Sequence, residues 1–132
     1  MRHLLVTNDY PPKVGGIQSY LWEIYRRLPQ DKVVVYTTPH PDSESFDQQQ
    51  THKIIRSKQR VLLPTKQVAN QIRSVAKDED IDFIMYDPAV PIGILGPKIR
   101  IPYGVILHGA EVTIPGRVPL ARALIANVLQ NA

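Results

Sequence analysis

The 132-residue chain contains no cysteine. That absence excludes a disulfide scaffold, a thiol nucleophile and a zinc site built on thiolates, and it fits a reducing compartment. Long apolar runs are missing too. No stretch approaches the roughly 20 residues of a spanning helix, and the start, Met1-Arg2-His3-Leu4-Leu5-Val6-Thr7-Asn8-Asp9, has an apolar run too short for a signal peptide. The chain is therefore expected in the cytosol. The first loop lacks G-x-G-x-x-G, which argues against a dinucleotide-binding oxidoreductase. His3, His40, His52 and His108 show no metal-ligand spacing, and no metal site is expected. Acids are absent from one whole window: between Asp47 and Asp78 there is no Asp or Glu, while Lys53, Arg56, Lys58, Arg60, Lys66, Arg73 and Lys77 fall inside it. The same window holds no aromatic residue for base stacking and no nucleic-acid motif, so nucleic acid is not expected as a partner.

What is present describes an ordinary globular domain. With 43% hydrophobic and 21% charged residues and a net charge of +4, the chain is long enough for one domain that buries roughly two-thirds of its unfolded surface. Leu4-Leu5-Val6 reads as a buried strand, and Ile17, Leu21, Ile24 and Leu28 follow at helical spacing before Pro29. Val33-Val34-Val35-Tyr36 is a β-branched strand, Pro39 to Gln50 a polar loop, and Ile54-Ile55 a short strand. Thr65 can cap a helix whose apolar face is Val68, Ile72 and Val75. Ile81 to Tyr86 is the next strand, Ile92 to Lys98 a short helix, and Tyr103 to Leu107 a further strand. Asp78-Glu79-Asp80, before the Ile81 strand, reads as a solvated turn at the sheet end opposite the first loop.

Such alternation predicts an α/β fold, a Rossmann-like parallel sheet with flanking helices, and sheets of this kind bind ligands beyond the carboxyl ends of their strands. Three segments lie there: Asn8 to Gly16, Tyr86 to Val90 and His108 to Gly116. The first carries Gly15-Gly16 at the start of a helix. Backbone N–H groups there can approach an anion such as a phosphate, aided by the helix dipole, and the competing reading is a plain tight turn. The third places His108 directly after a strand, on the same sheet edge as the glycines, with Glu111 close in sequence. The basic window admits two readings of equal weight. One is a solvated helix face. The other is an anionic membrane surface contacted by Arg56, Lys58, Arg60, Leu62, Leu63 and Lys66, in which the cations surround the apolar run Val61-Leu62-Leu63.

Asn8-Asp9-Tyr10-Pro11-Pro12, leading into Gly15-Gly16-Ile17-Gln18-Ser19-Tyr20, together with Pro102-Tyr103-Gly104-Val105-Ile106-Leu107-His108-Gly109-Ala110-Glu111, resembles the N-terminal domain of family 4 retaining glycosyltransferases of the GT-B fold. Within that family it is most similar to actinobacterial phosphatidylinositol mannoside α-mannosyltransferases that use GDP-mannose. The resemblance covers essentially the whole chain. It implies an acceptor-side domain over residues 1–132, incomplete at its C-terminal end, where Leu120, Ala121, Leu124, Ile125, Val128 and Leu129 describe a helix still running at Ala132. The donor-binding domain would lie beyond, and this chain alone would be inactive. By the same resemblance, Gly15 and Gly16 would supply main-chain donors to the donor diphosphate and His108 would hydrogen-bond the sugar or acceptor at the catalytic centre. Asp9 and Gln18 would orient acceptor hydroxyls, and Glu111 would either join them or anchor its loop. The implied partners are a nucleotide sugar, an inositol lipid acceptor and an anionic membrane surface on the inner face of the plasma membrane. No cofactor and no divalent cation are implied. A non-catalytic lipid or sugar-phosphate binding module is the alternative.

Overall fold

The computed structural model describes residues 1–108, 127 and 129–132. The elements run β1 (His3–Thr7), α1 (Gly16–Tyr25), β2 (Val33–Thr37), α2 (Ser43–Gln48), β3 (Lys53–Arg56), α3 (Lys66–Asp78) and β4 (Phe83–Asp87), then a 3-10 turn over Ile92–Leu95, α4 (Gly96–Ile99) and β5 (Tyr103–Val105). Five strands form one parallel sheet in the order β3-β2-β1-β4-β5. The chain leaves β1 toward β2 and β3 on one side and returns to place β4 and β5 on the other. The β1–β4 border is therefore the point at which the strand order reverses, where open α/β sheets form a crevice.

Both faces of the sheet are covered, which is why the inner strands are apolar without alternation. Successive side chains point to opposite faces. Leu4, Val6, Val34, Tyr36, Ile84 and Tyr86 pack with α3 and with the turn and helix around Ile92–Ile99. Leu5, Val33 and Val35 pack with Tyr10 and with Leu21 and Tyr25 of α1. Helix α3 forms as its sequence predicts. The Thr65 hydroxyl accepts from the Val68 N–H at 3.2 Å, and Val68, Ala69, Ile72 and Ala76 bury one stripe. Burying a large aliphatic side chain such as Ile72 contributes about 1.5–3 kcal/mol.

Three local expectations need correction. The segment expected to be all loop contains α2, which buries no residue fully and so leaves no periodic apolar signal. Helix α1 ends at Tyr25 and buries Leu21 and Tyr25, while Ile17 and Ile24 sit on its exposed shoulder. The acidic turn is not wholly solvated: Glu79 pairs with Arg2 at 3.0 Å and with Lys53, holding the N-terminal edge of the sheet together.

Candidate functional site

The carboxyl edge of the sheet collects five of the six buried polar side chains among the described residues, His52 before β3 being the other. Among the described residues Thr7, Thr37, Thr38, Ser57 and Asp87 are all buried there, at or just past the ends of β1 to β4. Buried polar groups are costly unless hydrogen-bonded, and at the β1–β4 border they satisfy one another. Thr7 and Asp87 are register partners. The Thr7 hydroxyl donates to Asp87 Oδ2 at 2.8 Å and accepts from the Asp9 N–H at 2.9 Å. The other Asp87 oxygen, Oδ1, binds His108 Nε2, which arrives just beyond β5 with its side chain 21% exposed. Burial pushes the Asp87 carboxyl above its ordinary value, while the hydrogen bonds from His108 and Thr7 act in the opposite direction. A carboxyl group hydrogen-bonded to the imidazole fixes the ring's orientation.

From Asp9 the network passes to the glycine loop. Gln18 Nε2 donates to Asp9 Oδ1 at 3.3 Å, and the Gln18 amide lies so close over Gly15 that a Cβ there would fall 2.3 Å from its Oε1. Gly15 occupies the N-cap position of α1, where it has no side chain to cap the helix, and no acid lies in the first turn. The first N–H groups of α1 therefore keep their donor capacity and the positive end of the dipole. At Gly16 a Cβ would meet nothing within 4 Å, so space for an approaching group is open there.

The loop is held from beneath. Tyr10 is buried and its hydroxyl bonds His52 Nε2 at 2.8 Å, while His52 Nδ1 bonds Gln30 Oε1 at 2.8 Å. Burial lowers the His52 pKa, in keeping with a neutral ring that accepts from Tyr10 and donates to Gln30. Asn8 is fixed on both sides of its amide: Nδ2 donates to the Leu62 carbonyl at 3.0 Å and Oδ1 accepts from the Leu62 N–H at 2.7 Å.

The sequence-predicted residues thus divide. Gly15, Asp9 and Gln18 are brought together, Gly16 adjoins them, and His108 joins the same edge through Asp87 and Thr7. Glu111 lies outside the described residues. Two of the expected membrane-surface residues are not at a surface. Leu62 is fully buried in the core, drawn inward by the Asn8 bonds. Arg56 spends its guanidinium inside the protein: Nε and Nη2 on the Asp47 carboxylate, Nη1 on the Thr38 carbonyl and Nη2 also on the Pro11 carbonyl. Lys58, Arg60, Leu63 and Lys66 are exposed. Asp87 and Thr7 were not singled out by sequence reasoning. The available signal was an acid closing an apolar strand inside Tyr86 to Val90, a segment already placed at the ligand-binding edge.

No group of three or more His, Cys, Asp or Glu among the described residues is arranged to hold a metal ion. No described helix is long and apolar enough to cross a membrane.

No family model matches the chain. Curated proteins do. It is 31% identical over 137 aligned residues, 96% of its length, to a GDP-mannose-dependent alpha-(1-6)-phosphatidylinositol monomannoside mannosyltransferase of Mycobacterium tuberculosis. It is 33% identical over 74% of its length to the Mycolicibacterium smegmatis protein of the same name. The GDP-mannose-dependent monoacylated alpha-(1-6)-phosphatidylinositol monomannoside mannosyltransferase of Corynebacterium glutamicum is 30% identical over 70% of the chain. The chain spans only 35%, 26% and 25% of these proteins, respectively. The chain belongs to the family of the GDP-mannose-dependent phosphatidylinositol mannosyltransferases.

Proposed function

We propose that the chain is the acceptor-side part of a retaining GT-B glycosyltransferase that moves mannose from GDP-mannose to an inositol phospholipid or a mannoside of one. The observation that carries this reading is the hydrogen-bonded line His108–Asp87–Thr7–Asp9–Gln18 beside the uncapped start of α1, in a chain related to mannosyltransferases. In retaining transfer the bond from the anomeric carbon to the diphosphate breaks while the acceptor oxygen bonds the same sugar face and gives its proton to the departing phosphate oxygen. The carbon passes through an oxocarbenium-like state, and negative charge grows on the departing diphosphate. Main-chain N–H groups at Gly15 and Gly16 suit that charge. His108, oriented by Asp87, suits a hydroxyl of the transferred sugar or the acceptor, and Asp9 with Gln18 suits the acceptor hydroxyls. Glu111 is assigned to the same acceptor group. The reaction so written uses no cofactor beyond the nucleotide sugar.

A lipid acceptor requires an enzyme resting on the membrane surface, which we place on its cytoplasmic face, and Lys58, Arg60, Leu63 and Lys66 supply exposed cations and an apolar residue for it. With the donor domain elsewhere, this chain alone is expected to show no turnover with labelled GDP-mannose and phosphatidylinositol mannoside. A chimera in which the chain replaces the corresponding third of the M. tuberculosis relative is expected to transfer mannose and to lose transfer on His108→Ala. A folded chimera that transfers nothing, or one unaffected by His108→Ala, sinks the proposal. Binding of the lipid by that inert chimera would favour the non-catalytic module instead.

A further inference from the structure

On α3, Lys66, Asn70, Arg73 and Lys77 recur at i, i+4, i+7 and i+11, which aligns them on one face of the helix. The first three border a cavity of about 360 Å³ between α3 and α4, completed by Lys98 and floored by Ala69 and Leu95. That volume falls inside the roughly 300–1,000 Å³ typical of ligand pockets. Its lining carries three cations and no carboxylate. Arg73 is held in place, Nη1 donating to Asn70 Oδ1 and Nη2 to the Lys98 carbonyl, each at 3.1 Å. Neither Lys66 nor Lys98 has an ion pair among the described residues. The acids at the end of α3 lie at its opposite terminus, where Glu79 is engaged by Arg2 and Lys53.

Three cations around one cavity repel one another, and a multiply charged anion within it relieves that repulsion. The first turn of α3 contains no acid, so the helix dipole adds to the positive field. A nucleobase has no aromatic ring to stack on in this lining. We propose that the α3–α4 pocket binds a phosphate group, with Lys66, Arg73 and Lys98 as its charge partners and Asn70 as a neutral hydrogen-bonding neighbour. The pocket shares no lining residue with the hydrogen-bonded line that carries His108, and its phosphate belongs either to a soluble ester or to the headgroup of an anionic lipid. Val61 and Leu63, exposed on the loop leading into α3, adjoin it in sequence. In its lipid form the inference rests on the surface part of the proposal above, and in its soluble form it is independent of it.

The test is a titration of the whole chain with inorganic phosphate, read from the backbone amide shifts of Lys66, Ala69 and Asn70. A Lys66→Ala/Lys98→Ala variant is compared with Lys32→Ala/Lys77→Ala, which removes the same charge from exposed positions outside the pocket. Saturable binding that weakens by about tenfold or more in the first variant and by less than about twofold in the second is expected. Equal weakening in both, or no saturable binding by the unaltered chain, overturns the pocket. Co-sedimentation with phosphatidylcholine vesicles, with and without phosphatidylglycerol, separates the sources. Phosphatidylglycerol-dependent binding that the pocket variant loses and inorganic phosphate displaces identifies a lipid headgroup. Vesicle behaviour unchanged by the variant, with phosphate binding lost, identifies a soluble ester. None of these readouts depends on glycosyl transfer.

Discussion

Asp87 offers the sharpest test of the site. It is fully buried, one oxygen holds the Thr7 hydroxyl at 2.8 Å and the other holds His108. Replacing it with alanine leaves the Thr7 hydroxyl, itself fully buried, without an acceptor, and a buried donor left unsatisfied costs about 1–3 kcal/mol. The His108 side chain is 21% exposed and turns to water at smaller cost. With the space left by the carboxyl added, Asp87→Ala is expected to destabilise the chain by about 2–4 kcal/mol, a large part of a typical 5–15 kcal/mol stability. Asp87→Asn keeps the shape and an acceptor oxygen and is expected to cost about 1 kcal/mol or less at neutral pH, because it also removes the need to bury a charge.

The pH dependence gives this comparison a sign. The folded chain holds the Asp87 proton to higher pH than the unfolded chain does, because burial outweighs the hydrogen bonds from His108 and Thr7. Between the two values the folded state binds more protons, so the free energy of unfolding falls as pH rises from about 4, the ordinary aspartate value, through the raised folded value. The unaltered chain is therefore expected to lose stability relative to Asp87→Asn across that interval. Urea unfolding of both proteins at a series of pH values measures the difference and cancels the other titrating groups to first order. A gain in stability of the unaltered chain relative to Asp87→Asn over the same interval would refute the reasoning, since it would mean that the hydrogen bonds hold the carboxylate down despite its burial.

Leu62→Ala is expected to cost about 2–5 kcal/mol and Leu63→Ala within about 0.5, measured by urea midpoints, because only Leu62 is in the core. Equal costs would return Leu62 to the surface. In a chimera with transferase activity, Gly16→Val is expected to weaken donor use with the fold retained, since a Cβ at this position meets no protein atom; an unchanged response to GDP-mannose concentration leaves the loop as a turn. Burial lowers the pKa of both His3 and His52, so the unfolded chain binds their protons first and stability is expected to fall as pH drops below about 6.5. His52→Gln should reduce that slope, and an unaltered slope would remove His52 from the explanation.

Much of the architecture was legible because it rests on local rules. Leu4-Leu5-Val6 and Val33-Val34-Val35 are apolar at every position because both sheet faces are covered, and that pattern is visible in one dimension. The shared edge of His108 and the glycine loop follows from strand direction alone. What escaped depends on partners far away in sequence. Val61, Leu62 and Leu63 look alike in the chain, and only the two hydrogen bonds from Asn8, 54 residues earlier, select Leu62 for the core. Arg56 reads as one of a row of surface cations until α2 folds and brings Asp47 to 2.7 Å. Asp87 gains its meaning from Thr7, its partner across the β1–β4 border, 80 residues away.

Those distant contacts also couple regions that the sequence presents as separate. The basic loop after β3 is tied to the glycine loop by Asn8 on Leu62, and Arg56 reaches the Pro11 carbonyl at 2.8 Å. The Ser57 N–H, one residue on, donates to the Thr37 carbonyl at 2.7 Å. The backbone that carries Asp9 and precedes Gly15 therefore cannot shift without straining the start of the basic loop. Arg56 acts in this arrangement as a strut under the Pro11–Gly16 segment, with its charge already compensated by Asp47. Its removal would free the Pro11 carbonyl in the segment that leads to Gly15, whereas removal of exposed Lys58 or Arg60 would break no hydrogen bond to that segment among the described residues. The two kinds of cation lie within five residues of each other in sequence and differ in what they touch: Arg56 is bonded inside the protein, and Lys58 and Arg60 face solvent.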